Sequence, residues 1–251
     1  MAIGAVAPAS ASVVCFKALP NNGYIVPFNP TNWTSVIYAD SGWLSASAQP
    51  PVTLTKITLE VATYLSNVPG TTDIVFTLND GDPSGLLFGS GAPLYTVTIP
   101  NVPLPAAPIP TATFFQLVIP LPNVQTLGGL NHVGWSVRMQ NYNYPGCFGF
   151  RMSNCSGQTA GYYTADASYF DGEAWSLLSF GSGCNNVVNY AVTLEASQCS
   201  ADLDGNGAVD AADLGILLGQ WGSVGSADLN ASGTVDAADL GVLLGAWGPC
   251  T

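Results

Sequence analysis

The feature that most constrains the fold is a duplication close to the carboxyl end of the chain. Residues 201–222 recur at 227–248 with a shift of 26 residues, and 16 of the 22 positions are identical. Each copy has a loop rich in Asp, Asn and Gly, then an apolar run, and then Gly222 or Gly248. Because glycine commonly follows the end of a helix, each copy is expected to form one loop and one helix.

The two loops carry oxygen-bearing side chains at positions 1, 3, 5, 9 and 12, with Gly207 or Gly233 at position 6. This is the spacing of calcium-binding loops, in which position 7 contributes its backbone carbonyl. The predicted ligands of one Ca²⁺ are Asp202, Asp204, Asn206, the Ala208 carbonyl, Asp210 and Asp213. The predicted ligands of a second Ca²⁺ are Asp228, Asn230, Ser232, the Thr234 carbonyl, Asp236 and Asp239. An acidic tail that binds no metal is the alternative, since Asp, Asn and Gly are also common turn residues.

Paired loops of this length, each running into a single helix, resemble the type I dockerin, a calcium-dependent docking module. The resemblance covers residues 199–250 and implies two bound ions and a protein partner, with Asp210 binding its ion through water. Loop positions 10 and 11 depart from the family, because hydroxyl-bearing residues are replaced by alanines at 211–212 and 237–238. The basic residues common farther along the dockerin helix are also absent. These departures argue against a conventional cohesin as the partner.

The helical runs are apolar on almost every side, with Gln220 as the only polar side chain in residues 214–221 and 240–247. A helix that is apolar all round needs cover on all sides, and a unit of about 50 residues can hide only part of this surface. The cover is either the larger body of the same chain or another molecule. The candidate partner-binding residues are Leu217, Leu218, Trp221, Leu243, Leu244 and Trp247.

Residues 15–198 are expected to form an antiparallel β-sandwich of the jelly-roll kind. Short runs rich in Val, Ile, Thr and aromatic residues, such as 52–64 and 132–139, are separated by Gly, Pro, Asn and Asp. Such runs are typical of strands in all-β domains. The proline-rich stretch 100–122 is expected to form an edge strand and loop. The apolar segment 1–14 is a candidate donor or edge strand, and residues 199–251 form the separate calcium module.

Six cysteines, with calcium loops and very few lysines, indicate an oxidising, extracellular setting. The predicted disulfides are Cys199–Cys250 around the repeat, Cys147–Cys155 across a short loop, and Cys15–Cys184. Free thiols are the alternative. Neither a CxxC motif nor a Cys/His cluster occurs, so the sequence gives no support for zinc.

The net charge of −12 comes from 16 acidic and only 4 basic residues, Lys17, Lys56, Arg138 and Arg151. Bases so few and scattered argue against a nucleic acid partner. The sequence also has no apolar run of the roughly 18 residues that a membrane span requires.

Residues suited to catalysis are scarce in the body. His132 is the only histidine and starts a predicted strand, so a structural role is favoured over that of a catalytic base; there is no GxSxG motif beside it. Two acid pairs, Asp80 with Asp82 and Asp171 with Glu173, have the composition of a glycoside hydrolase site but lie in Gly-containing turns. We therefore expect a protein that is not an enzyme.

Aromatic residues cluster between positions 142 and 175, and they would either fill the sandwich or stack on a sugar. They are Tyr142, Tyr144, Phe148, Phe150, Tyr162, Tyr163, Tyr169, Phe170 and Trp175.

Together these features predict a secreted assembly protein whose calcium module docks on a β-sandwich. The sandwich of the next copy is one candidate receptor, and because such a contact is not closed by symmetry it would build a fibre. A carbohydrate-binding protein tethered through its calcium module to a separate partner is the alternative.

Overall fold

The larger part of the chain folds into two antiparallel sheets packed face to face, as the sequence predicts. The computed structural model describes residues 12–20, 25–27, 36–45, 52–86, 91–126, 132–153, 157–163, 167–178, 189–197, 201–204, 206, 208–230 and 232–249. Sheet A contains β1 (Ser12–Ala18), β2 (Ile25–Pro27), β4 (Thr53–Ser66), β7 (Ala107–Gln125), β9 (Cys147–Ser153), β10 (Gln158–Ala160), β14 (Asn189–Tyr190) and β15 (Val192–Ser197). Sheet B contains β3 (Ile37–Trp43), β5 (Gly70–Asp80), β6 (Ala92–Leu104), β8 (His132–Asn143), β11 (Tyr162–Tyr163), β12 (Ser168–Phe170) and β13 (Trp175–Leu177).

The strand order places early and late strands side by side in both sheets. Sheet A runs β10-β1-β15-β4-β9-β14, with β2 also paired to β9 and β7 also paired to β4. Sheet B runs β13-β12-β3-β8-β5-β6, with β11 also paired to β3. Aromatic side chains join the two sheets: Phe16 of β1 lies 5.3 Å from Trp135 of β8, and Phe150 of β9 lies 6.4 Å from Tyr38 of β3, measured between ring centroids. The core of the sandwich therefore depends on residues from distant parts of the sequence.

The proline-rich stretch lies in two edge strands, which confirms the predicted edge strand, but the predicted loop is limited to residues 105–106. Among the described pairings, β6 pairs only with β5 and β7 only with β4. Three prolines lie in β6 and four in β7. Proline has no backbone N–H to donate to a further strand, so these residues discourage edge-to-edge pairing with another chain.

The start of the described chain is part of this sandwich. Strand β1 begins at Ser12, which is paired with Ser197, and β1 lies between β10 and β15. The final residues of the predicted segment, 12–14, thus belong to a strand of the same chain and, among the described pairings, pair with β15 alone, as an edge segment does. Residues 1–11 lie outside the described residues.

Two of the three predicted disulfides are not formed. Cys15 and Cys147 both carry free thiols, so the predictions of Cys15–Cys184 and Cys147–Cys155 were wrong. Cys15 is fully buried and its Sγ donates a hydrogen bond to the Leu194 carbonyl at 3.4 Å, which holds the thiol within sheet A. Burial is also the main reason why the pKa of this thiol rises to about 12. The predicted Cys199–Cys250 pair lies outside the described residues.

The repeat forms a small unit with its own core. Helices α1 (Ala211–Gly219) and α2 (Ala237–Gly245) each follow one loop, and a short pairing joins β16 (Ala208–Val209) to β17 (Gly248–Pro249). Each helix has nine residues, so neither is long enough to cross a membrane, and no other described segment forms an apolar helix that could.

Candidate metal centres and docking surface

The carboxylate of Asp213 closes the first loop from both ends. Asp210 caps α1 by accepting a hydrogen bond from the Ala212 N–H, and Asp213 in turn accepts from the Asp210 N–H at 2.8 Å. The Asp210 side chain also accepts from the Asp213 backbone N–H, so the two residues cap each other in a capping box. Helix α1 therefore starts three residues before the apolar run from which it was predicted. The other oxygen of Asp213 accepts from the N–H groups of Leu203 at 2.6 Å and Asp204 at 3.1 Å.

The remaining side chains of the first loop turn the chain around the same point. Asp202 and Asp204 both accept a hydrogen bond from the Asn206 N–H, at 3.1 Å and 3.0 Å. Carboxylate oxygens of Asp202, Asp204 and Asp213 lie within 4.8 Å of one another. Three like charges this close repel each other strongly. Calcium binds oxygen at about 2.3–2.6 Å, so oxygens at this separation fit around one such ion.

The second loop repeats this geometry with one carboxylate fewer. Ser232 donates its N–H to Asp228 and to Asn230, each at 2.9 Å, and Asn230 stands where the first loop has Asp204. Gly233, at position 6, has a φ of +95°, a left-handed conformation that glycine adopts easily. The Ser232 hydroxyl donates to the Thr234 carbonyl at 3.1 Å, so two of the predicted ligands lie next to each other.

Asp239 holds the second loop as Asp213 holds the first. It is fully buried and accepts from the N–H groups of Asp236 at 2.8 Å and Asn230 at 3.1 Å. The hydrogen bond from the Asp236 backbone is the main cause of a lowered pKa for this carboxyl group, against the opposing effect of burial. The geometry thus favours the charged form that a metal ligand requires.

The core of the repeat unit is symmetric and corrects part of the predicted docking surface. Six side chains are fully buried in three pairs that differ by 26 residues: Ala201 and Ala227, Val209 and Val235, and Leu217 and Leu243. Leu217 and Leu243 were predicted to bind a partner, but they fill this internal core, so that prediction was wrong for both residues. The reason is that each half covers one side of the other helix.

The backbone follows the same symmetry. Val209 of the first loop pairs with Gly248 after α2, and Val235 of the second loop exchanges backbone hydrogen bonds with residues 222 and 223 after α1. Each loop is therefore fastened to the end of the helix that belongs to the other half.

The other four residues of the predicted surface are exposed. The exposed fractions are 54% for Leu218 and 47% for Trp221, and 53% and 49% for their counterparts Leu244 and Trp247. Residues three apart on a helix share a face, and each tryptophan follows its leucine at this spacing just beyond the helix end. The unit thus presents two equivalent leucine–tryptophan pairs to solvent, which we call the Leu–Trp surface.

One contact between the sandwich and the first loop has no signal in the sequence. The Gln125 side chain, at the end of β7, donates a hydrogen bond to the Asn206 carbonyl at 2.9 Å. Gln125 is one polar residue among many, and only the fold brings it to the loop.

Most of the residues considered for catalysis have visible structural contacts. His132 is 6% exposed and its ring stacks on Trp43 with centroids 4.5 Å apart; burial is the main cause of its lowered pKa. Asp82 accepts hydrogen bonds from the backbone and hydroxyl of Ser84. Asp171 accepts from the N–H groups of Ala174 and Glu173, which lower its pKa in that order. Asp82 and Asp171 therefore stabilise turns, as their glycine-containing sequences indicate, while Asp80 is the last residue of β5.

The aromatic cluster is divided between the core and the surface. Phe148 and Phe150 are buried, and Tyr163 donates its hydroxyl to the Tyr190 carbonyl inside the sandwich. Tyr162 is 57% exposed and stacks on Trp43 at 6.0 Å. The predicted aromatic set does not form a single exposed platform.

Comparisons with known proteins provide little beyond this geometry. No family model matches the chain, and no curated protein matches it. Similar solved structures include infectious bursal disease virus of the Gt strain (13% identity, TM-score 0.28) and of the Gx strain (14% identity, TM-score 0.29). The matches cover 76% and 78% of this chain but only 38% and 44% of the viral chains. At TM-scores this low the likeness supports no conclusion about function, which must come from the residues themselves.

Proposed function

We propose that the chain is a non-enzymatic, extracellular assembly protein whose carboxyl-terminal repeat is a calcium-loaded docking module of the dockerin type. The observation that carries the proposal is the pairing of two features in each half of the repeat. A loop with ligands at calcium spacing leads into a helix, and an exposed leucine in the helix is followed by an exposed tryptophan just after it: Leu218 and Trp221, or Leu244 and Trp247.

Calcium would fix the shape of this surface. Bound Ca²⁺ supplies a positive charge that holds the ligand oxygens of a loop together. Asp213 and Asp239 are ligand candidates and also form the capping boxes of α1 and α2, so the loop and the start of the helix are one structural element. Removing the ion leaves close carboxylates without a counter-charge, and the helices then lose their alignment.

Exposed tryptophan and leucine are favourable residues for a protein interface, because aromatic anchors contribute much of the binding free energy. The proposed receptor is a β-sandwich, and the sandwich of another copy is the first candidate. Docking of this kind joins two different surfaces, so it leaves a free module at one end and a free sandwich at the other and builds an open chain.

Calcium titration and particle size test this proposal together. Calorimetry is expected to show two ions per chain, with none bound after Asp213→Ala and Asp239→Ala are combined. Sedimentation velocity of the full chain is expected to show concentration-dependent growth with Ca²⁺ and a return to the monomer with chelator. Absence of calcium binding would remove the proposal altogether.

The alternative is a carbohydrate-binding protein in which the module only tethers the chain. The exposed Tyr162 on its Trp43 stack is the observation that favours it. Glycan-array binding that is lost in Tyr162→Ala and kept in the control Tyr163→Phe, whose ring packs against Phe16, would support this alternative.

A further inference from the structure

The outward side of sheet A can be identified from the strand register. Leu194 and Ile57 are paired and fully buried, so they face the core. Their neighbours Glu195 and Lys56 are also paired, and because side chains alternate along a strand these two face outward. The next outward row crosses four strands and consists of Lys17, Thr193, Thr58 and Val118. We call this side the outer face of sheet A.

Large apolar side chains are exposed on this face. Phe114 and Val118, both on β7, are 54% and 50% exposed, and Val14 on β1 is 37% exposed. Phe114 and Val118 have the same orientation and are separated by four residues, or about 13 Å along a strand. Between the two edges of the face lie the small side chains of Thr58 and Thr193. Thr58 and Thr193 keep this row low, while the Lys56–Glu195 ion pair stands beside them and the Arg151 guanidinium lies 4.3 Å from the centroid of the Phe114 ring. The exposed apolar side chains lie on β7 and β1.

The charge of this face is opposite to that of the calcium module. Three of the four basic residues of the protein, Lys17, Lys56 and Arg151, lie here with two acids. The acids are Glu195, 2.8 Å from Lys56, and Glu60, 3.5 Å from Arg151. Three positive charges less two negative charges give +1. The module has seven aspartates and no basic residue after residue 199, so two calcium ions change its charge from −7 to −3.

From these features we propose that the outer face of sheet A receives the Leu–Trp surface of the calcium module from a second copy of the chain. The inference rests on the proposed function and adds the place of docking. The apolar residues of the module would cover Phe114 and Val118, while its negative charge would lie against the one face whose described residues carry a net positive charge. Arg138, the fourth basic residue, lies on β8 in sheet B, whose strand β5 carries Asp73 and Asp80 and whose turns carry Asp82 and Asp171.

The test uses two variants of the full chain that block different halves of the contact. The donor variant combines Leu218→Glu with Leu244→Glu, and the acceptor variant combines Phe114→Glu with Val118→Glu. Leu177→Glu is the matched control, because Leu177 is also an exposed leucine, at 40%, but lies on β13 of sheet B. Sedimentation velocity in saturating Ca²⁺ measures self-association, and circular dichroism with calcium titration verifies that each variant is folded.

Wild type and control are expected to form chains, while each blocked variant self-associates at least about tenfold more weakly, as expected when residues central to an interface are lost. Mixing the two blocked variants is expected to give a 1:1 dimer and nothing larger. The acceptor variant still has a working module and the donor variant still has a working outer face, so one contact can form and no second one can follow it.

Each failure has a distinct meaning. If the acceptor variant self-associates as strongly as wild type, or if the mixture of the two variants forms no dimer, the proposed docking site is wrong. Calcium-dependent assembly itself would remain. Wild-type chains that stay monomeric with Ca²⁺ at every concentration would overturn the proposed function itself. If the acceptor variant does not fold, Thr193→Glu places a bulky, negatively charged side chain at the centre of the face without touching the apolar residues, and undiminished assembly of that variant is equally decisive.

Discussion

Adjacent leucines in α1 provide a matched test of the symmetric core. Leu217 is fully buried between the two halves of the repeat, whereas Leu218 is 54% exposed. Replacing a buried leucine with alanine removes apolar contacts and leaves a cavity, at a cost of about 3 kcal/mol. Replacing the half-exposed neighbour removes less buried surface and leaves no closed cavity, so we expect a cost of about 0.5 kcal/mol.

Leu217→Ala and Leu218→Ala should differ strongly in calcium affinity, because the ligands are fixed in place only when the unit is folded. Asp213 and Leu217 are one helical turn apart, and both are fully buried. If the unit is marginally stable without the ion, folding and binding are coupled, and the loss of about 3 kcal/mol lowers the apparent calcium affinity by about 150-fold. The corresponding factor for Leu218→Ala is about two.

Calcium titration followed by tryptophan fluorescence measures both affinities, and thermal unfolding at saturating Ca²⁺ measures stability. The internal symmetry adds a second comparison, since Leu243→Ala should behave like Leu217→Ala, and Leu244→Ala like Leu218→Ala. Equal effects of Leu217→Ala and Leu218→Ala on calcium affinity would refute the assignment of one leucine to the core and the other to the surface.

Three further predictions concern metal release, acid stability and thiol reactivity. The second loop has three carboxylates and the first has four, so stepwise chelation should remove the second ion first. Calorimetry of Asp213→Ala and Asp239→Ala assigns each ion to its loop. The predicted order is refuted if Asp213→Ala removes the weaker ion. The pKa of Asp73 is lowered from its ordinary value of 3.8, mainly because its carboxylate accepts the Asn101 N–H, so its contribution to stability is complete above pH 3.8 and is lost as the pH falls through the lower folded value. Asp73→Asn should flatten the acid limb of the stability curve in urea unfolding, and an unchanged limb contradicts this role. Burial raises the pKa of Cys15 to about 12, so at pH 8 iodoacetamide should label this thiol only after unfolding, as peptide mapping can establish; rapid labelling of the native protein would show that the thiol is accessible.

The sequence predicts the general architecture because two patterns are visible in it: the alternation of apolar and polar residues in the strands, and the 26-residue repeat of one loop and one helix. In β4 the alternation of Ile57, Leu59 and Val61 with polar residues indicates a strand with one buried side, and all three are fully buried. The capping boxes are also present in the sequence as Asp210 and Asp213, and as their counterparts 26 residues later. These capping boxes mark the start of each helix, because Asp213 and Asp239 belong to the first turn of the helix as well as to the loop.

The division of the apolar helices into core and surface was harder to predict because composition alone does not reveal it. Leu217 and Leu218 are identical side chains in adjacent positions, and only the approach of the other half, through Val235 and Leu243, makes one of them internal. The cysteine pairing fails for a similar reason. Six cysteines allow fifteen pairings, and the direction of each side chain depends on strand pairing over long distances, such as that between β1 and β15.

On the proposed docking face, too, the sequence alone does not show which apolar side chains face the core and which face solvent. Residues 113–119 read TFFQLVI, so Phe114 is followed directly by Phe115, and Val118 directly by Ile119. Alternation requires that one member of each pair faces outward, but a run that is apolar at both parities does not indicate which. The register with β4 decides it: Phe115 and Ile119 pair with Val61 and Ile57 on the buried side. A shift of one residue would exchange the two sets, bury Phe114 and expose Phe115 in its place. The location of a docking surface on sheet A is therefore a property of strand register, and it is the register that the acceptor variant tests.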